Sequence, residues 1–163
     1  MGHSDKNPRS RRAVRGQAIA EFALLLPLLV GLIGGAVDFA RAYEGSMTLE
    51  SATRNAAEAA AFEATTKAQA QVKAQEVVCT EAQRLPGFVA GSGGVVATCT
   101  NPTVTVDEYV RDISSPGANE RYPLVTVTVT TSLDFALIVP WPFLPHGAWT
   151  LGTTQSFEII QGR

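Results

Sequence analysis

Three successive patterns of apolar and polar positions divide the chain, and each predicts a different kind of element. From Ala18 to Val37, twenty residues carry Glu21 as their only charge. At about 1.5 Å per helical residue such a run covers the roughly 30 Å hydrocarbon layer of a bilayer, so it predicts a helix, starting at Gln17, able to span a membrane. Pro27 removes one backbone hydrogen bond within it and predicts a kink, which a membrane helix tolerates better than a soluble one. Gly31, Gly34 and Gly35 either let a neighbouring helix approach closely or loosen the helix locally.

The second pattern, "DFARAYEGSMTLESATRNAAEAAAFEA", is rich in helix formers, and its apolar positions from Phe39 through Tyr43, Met47 and Leu49 to Ala60 and Phe62 mostly recur at steps of three or four. The helix is expected to continue unbroken. Asp38 and Arg41 stand one turn apart at the membrane exit with Tyr43 at interface level, a paired and snorkelled boundary. Glu50, Glu58 and Glu63 read as a solvated face. A bend near Thr65 is expected, and Thr66 followed by Gln69 offers a capping box for a second helix from Lys67 to Arg84, ended by "LPGF".

From Gly91 the period becomes two: "GVVATCT", "TVTVDEYV", "PLVTVTVTTSLDF" and "AWTLGTTQSFEII" alternate β-branched and other residues between Pro and Gly segments. They predict a small, mainly antiparallel sheet. Val125, Val127 and Val129 share one face and Thr126, Thr128 and Thr130 the other, so the valine face needs a cover, for which the long helix is the natural candidate. The segment "ALIVPWPFLPHG", with Trp141, Phe143 and Leu144, is too apolar for an ordinary solvated loop and reads either as a cap on the core or as a contact with membrane or a partner. The fold class is therefore α+β: a long N-terminal transmembrane helix continuing into an exported helix, a second short helix, then the sheet.

Charge sets the orientation. Residues 1–15 carry five basic side chains against Asp5, a net +4, which leaves −6 for the remainder of a chain whose total is −2. Basic residues flanking a span stay cytoplasmic, so the C-terminal part is expected outside. Residues 1–15, polar and broken by Pro8, read as a disordered leader. About 120 residues follow the span's end, enough for one small domain. Its acidic balance, without a basic face, argues against a nucleic-acid partner. Cys79 and Cys99 lie in the part expected outside, where the environment permits a disulfide between them. A zinc site needs about four suitably spaced ligands, and His146 has no partner motif, so neither a metal nor another cofactor is expected. No phosphate-binding loop and no nucleophile beside a recognisable base occurs, so the residues do not describe an enzyme, and no catalytic residue is assigned.

Gly16 followed by Gln17-Ala18-Ile19-Ala20-Glu21 resembles the type IV prepilin processing motif. The stretch "RGQAIAEFALLLPLLVGLIGGAVDFARAY", then "NAAEAAA", resembles the TadE-like family, pseudopilins or minor pilins of the tight-adherence, Flp-type pilus; the match is close over residues 12–61. The resemblance implies a leader at 1–16 cut by a prepilin peptidase between Gly16 and Gln17, a pilin-like long helix at 17–64, and an exported α+β domain at 65–163. It implies Glu21 and Phe22 as assembly residues, Glu21 meeting the amino terminus of a neighbouring subunit. Implied partners are the peptidase, other pilus subunits and pseudopilins, the inner-membrane assembly machinery and membrane lipid. The implied location is the cytoplasmic membrane, single-pass, with incorporation into a surface pilus open. The sheet domain makes the chain larger than the short major pilins, which favours a minor role. Physics adds a reason: Glu21 lies about 6 Å along the axis from the new terminus at Gln17, where the positive end of a helix favours a carboxylate. Two alternatives stay open at this point, an uncleaved bitopic membrane protein and a domain released by ordinary signal peptidase near Gly34 and Ala36.

Overall fold

The computed structural model describes residues 8–92, 98–112, 123–139 and 148–160. Helix α1 spans Pro8–Glu63, 56 residues or about 84 Å of axis. It begins at Pro8 rather than at Gln17, which corrects the expectation of a disordered leader as far as residues 8–16 are concerned. The backbone has reason to do so: proline suits a first helical position, where its missing N–H has no intrahelical acceptor, and the arginines and alanines that follow are good helix formers. The helix assignment also runs through Pro27. One stretch of α1 is long and apolar enough to cross a membrane, with a mean hydropathy of 2.1.

Ala64, Thr65 and Thr66 make the expected bend, and α2 spans Lys67–Glu81, extended by a 3₁₀ turn at Ala82–Arg84. Thr66 caps α2 by accepting the Gln69 N–H at 3.3 Å. The reciprocal half of the predicted capping box is displaced by one residue: the Gln69 side chain accepts from the backbone and hydroxyl of Thr65, at 2.9 and 2.6 Å, instead of from Thr66. Gly87 then turns the chain with φ +95°, a conformation that favours glycine, and a Cβ there would collide with the Asp134 carbonyl.

Strands β1 (Val89–Ala90) and β2 (Cys99–Asn101) form a two-stranded antiparallel sheet. Of the predicted strand "GVVATCT", residues 94–97 lie outside the described residues. Strands β3 (Thr103–Arg111), β4 (Pro123–Ala136) and β5 (Ala148–Ile160) form a three-stranded antiparallel meander in that order. In β4 the alternation predicted from sequence extends further than the three valines: Val125, Val127, Val129, Thr131, Leu133 and Phe135 are all buried.

β3 holds a bulge that the alternation did not announce. Val106 pairs with Val129 and Glu108 with Thr128, leaving Asp107 as the extra residue. The bulge reverses which side chains face inward. Val104 and Val106 face the core before it, while Tyr109 and Arg111 oppose the inward Val127 and Val125 after it. The hydroxyl of Tyr109 and the guanidinium of Arg111 consequently reach the Ala64 carbonyl, at 2.8 and 2.9 Å, and satisfy an acceptor left over at the end of α1. The three-residue step from Val106 to Tyr109 was the available signal.

The core joins both helices to the inner face of the sheet. Ala52, Ala56, Ala57, Ala60 and Ala61 of α1 meet Ala70, Ala74 and Val78 of α2 and the inward valines of β3 and β4. The long helix does cover the valine face. The inward stripe differs from the apolar series read in the sequence, because Phe39, Tyr43, Met47 and Phe62 are exposed. Size explains the difference, since a helix pressed between a second helix and a sheet has room for methyl groups. Phe39 stacks with Tyr43, and Phe62 rests against Phe157 of β5 with centroids 5.8 Å apart.

α2 also closes the outer edge of β3. The Gln71 amide donates to the Val104 carbonyl and accepts from the Val106 N–H, both at 2.7 Å, as a neighbouring strand would. One turn earlier Lys67 donates to the Asp107 carbonyl at 2.9 Å. Cys79 and Cys99 form a disulfide between α2 and β2, with their Cα atoms 5.6 Å apart.

Candidate functional site

The residues singled out around the processing motif lie on a stretch of α1 that is exposed from Gln17 to Val30 among the residues whose side chains are described. Gly16 and Gln17 are within the helix. Gln17 and Glu21 are exposed one turn apart, and the Gln17 amide donates to Glu21 Oε1 at 3.1 Å. Phe22 is 60% exposed, and Leu24 through Val30 project outward from every side of the helix apart from Pro27. Large exposed apolar side chains on all faces of the described stretch fit a segment that crosses a membrane. Glu21 is its one carboxylate, and it accepts from the Gln17 amide.

At the other end of that segment Asp38 has a larger part than the sequence reading assigned to it. The expected contact with Arg41 is present at 3.4 Å. Asp38 is nevertheless only 4% exposed, and its two carboxylate oxygens accept the backbone N–H groups of Ile138 and Val139, at 2.9 and 3.1 Å. These two residues lie just past the end of β4, with Leu137 between. A snorkelled boundary pair therefore understates the site: the carboxylate fastens the end of a strand 100 residues away to the long helix. An acidic residue ending an apolar run was visible in the sequence, but its distant backbone partners carry no side-chain signature.

Glycine makes room for that fastening. A Cβ on Gly34 would collide with the Val139 side chain, and one on Gly45 would stand 3.3 Å from Leu151. Gly34, read from the sequence as a place for a neighbouring helix or for local loosening, here admits Val139 of the same chain, and Gly45, not singled out in the sequence, admits Leu151 of β5. Trp141, Phe143, Leu144 and His146 of the apolar Pro-rich segment lie outside the described residues, so the choice between core cap and surface contact is not decided for them.

Among the described residues no group of three or more His, Cys, Asp or Glu side chains is arranged to hold a metal ion. Lys73 bridges Glu63 and Glu76 at 2.8 and 3.1 Å, and these two carboxylates, Glu63 foremost, raise its pKa. This cluster ties α1 to α2 on an exposed surface. Glu50 and Glu58 are exposed in the same helix.

The sequence model of the family described as TadE-like protein matches residues 16–58. This is the family that the motif residues resemble, and the matched span contains Gly16, Gln17, Glu21, Phe22 and Asp38. It ends before α2 and every strand. The match relates the chain to the tight-adherence pilus, whose TadE-like components are not known as enzymes, and the single apolar helix at its start fits a single-pass membrane anchor. No curated protein and no solved structure matches the chain.

Proposed function

We propose that this chain is a minor pilin or pseudopilin of a tight-adherence pilus, cut by a prepilin-type peptidase between Gly16 and Gln17. On this reading the amino terminus is cytoplasmic, residues 17–37 lie in the membrane, and the domain that follows is outside and joins pilus subunits. The observation that carries the reading is Glu21: a carboxylate exposed in the first turns after the cleavage position, on a helix otherwise clad in outward apolar side chains. Such a charge is costly in lipid, and among the described residues the Gln17 amide is its hydrogen-bond partner. A neighbouring subunit's free amino terminus at Gln17 is a partner of the opposite charge and the right height. Phe22 and the leucines beyond it supply apolar surface for the same contact.

Cleavage also removes the leader's basic charges, which once orientation is established would hold this end at the cytoplasmic face. Gly16 is the natural place to open the helix for a peptidase, because glycine is the residue least favourable in a helix interior besides proline. One observation favours a second reading, an uncleaved bitopic membrane protein: α1 runs without a break from Pro8 across the Gly16–Gln17 bond.

Two measurements separate the readings. Mass analysis of the amino-terminal peptide from membrane-extracted protein is expected to find a mature start at Gln17; a peptide retaining the leader in cells that hold the peptidase removes the processed reading. Glu21→Ala, expressed as the sole copy, is expected to be cut and inserted yet to leave cells with few pili. Normal piliation would take Glu21 out of assembly, and normal piliation in a full deletion would take the whole protein out of it.

A further inference from the structure

The β4–β5 end of the domain is aimed at the membrane end of α1. Leu151 of β5 packs beside Gly45, Leu151 pairs with Leu133, and from Leu133 the β4 chain runs on to Val139 beside Gly34. The strand thus descends along the helix from the level of residue 45 to that of residue 34. Gly34 is four positions before Asp38, about 6 Å further toward the amino terminus, and lies inside the apolar run.

From this geometry we infer that the segment just past the end of β4, Ile138 and Val139, sits in the outer boundary of the lipid bilayer as a second membrane contact beside the helix. The inference rests on the reading of α1 as a membrane anchor. Three features of the structure fit lipid as the occupant. Ile138 is 61% exposed although it is apolar, and its N–H is bound by Asp38, the residue after the exposed Val37 of the apolar run. Phe39 and Tyr43, just above, are outward aromatics of the kind that favour the headgroup level. Most decisive, the backbone N–H groups of Ile138 and Val139, past the last ladder pair at Ala136, are both bound by Asp38. Irregular backbone at membrane depth persists only where the protein satisfies its polar groups. The same contact gives the buried carboxylate its hydrogen bonds. Asp38 is thus the positioning residue that lets a strand end enter an apolar boundary.

The test uses the full chain reconstituted in phosphatidylcholine and phosphatidylglycerol vesicles, its Cys79–Cys99 bridge left oxidised. A single environment-sensitive fluorophore is placed on Leu28→Cys, Ile138→Cys or Thr154→Cys. Lipids carrying a nitroxide deep or shallow in the acyl chain, and iodide in the buffer, serve as quenchers. Position 28 is expected to respond to the deep nitroxide, position 138 to the shallow one, and position 154 on the far sheet surface to iodide alone. Quenching at 28 by lipid, with 138 reached by iodide alone, overturns the inference while leaving the anchor intact. So does a label at 138 shielded from both, which would mean that another protein surface covers it. No lipid quenching at 28 overturns anchor and inference together. With Asp38→Ala the label at 138 is expected to lose lipid quenching and gain iodide quenching; unchanged quenching removes Asp38 from this role.

Discussion

Between Gln17 and Val37 helix α1 turns its largest apolar side chains outward, whereas between Met47 and Phe62 its inward stripe is mostly alanine, Leu49 apart, and Met47 and Phe62 themselves are outside. Both stretches are helix and both are apolar, yet they are built for different neighbours. The first is exposed from Ile19 to Val30 among the described residues and matches an apolar solvent by bulk. The second is wedged between α2 and a sheet, where small side chains let backbones approach and lose little rotamer freedom. Hydrophobicity therefore distinguishes the stretches poorly, and residue size distinguishes them well.

The sharpest way to break this comparison is one substitution made in both stretches. Leu49→Ala removes a side chain only 1% exposed and is expected to destabilise the domain by about 2–5 kcal/mol, read by urea unfolding of the detergent-solubilised chain. Leu28→Ala, at an exposed site, should leave the same unfolding curve in place. Equal effects would show that the two stretches share one folding unit. Opening the Cys79–Cys99 bridge comes next. Replacing both cysteines by serine releases a loop of 20 residues, expected to cost about 3 kcal/mol in the chain-entropy model, with membrane insertion of the first stretch unchanged.

A smaller and asymmetric effect is expected inside the second stretch. Thr53 Oγ1 donates to the Leu49 carbonyl at 2.6 Å, so its single proton is committed and Thr131 must donate to it across 2.5 Å. Thr53→Val leaves the buried Thr131 hydroxyl without its acceptor and should cost about 1–3 kcal/mol. Thr131→Val leaves Thr53 bonded to Leu49 and should cost less. Unfolding of both single variants and the double variant measures the difference, and equal losses would contradict the assigned direction.

The smallest effect belongs to the exposed lysine that ties α1 to α2. Because the pKa of Lys73 is raised in the folded chain, any stability it adds is fully present below the ordinary lysine value of 10.5 and fades as pH rises through the higher folded value. Lys73→Met is therefore expected to match the parent closely near pH 7, since exposed ion pairs contribute little, and to differ from it even less in strong alkali. A gap that widened with alkali in urea titrations at several pH values would reverse the sign.

Periodicity alone determined much of this molecule. The apolar run required a helix of membrane length, the valine and threonine alternation required a sheet with one covered face, and Thr66 marked the start of α2 to the residue. These are local features, set by the steps of 3.6 and 2 at which helix and strand repeat. The Gly16-to-Glu21 spacing was likewise legible, and the assembly contact we propose for Glu21 lies between chains rather than within one. What only the tertiary structure decided depends on where distant backbone comes to lie. The bulge at Asp107 turned Tyr109 and Arg111 toward the end of α1, Gln71 became a stand-in strand at the edge of β3, and glycines 34 and 45 proved to admit Val139 and Leu151 of the same chain. Asp38 is the clearest case. Its partners are peptide N–H groups, which every residue except proline possesses, so no sequence pattern can point to the two that it binds.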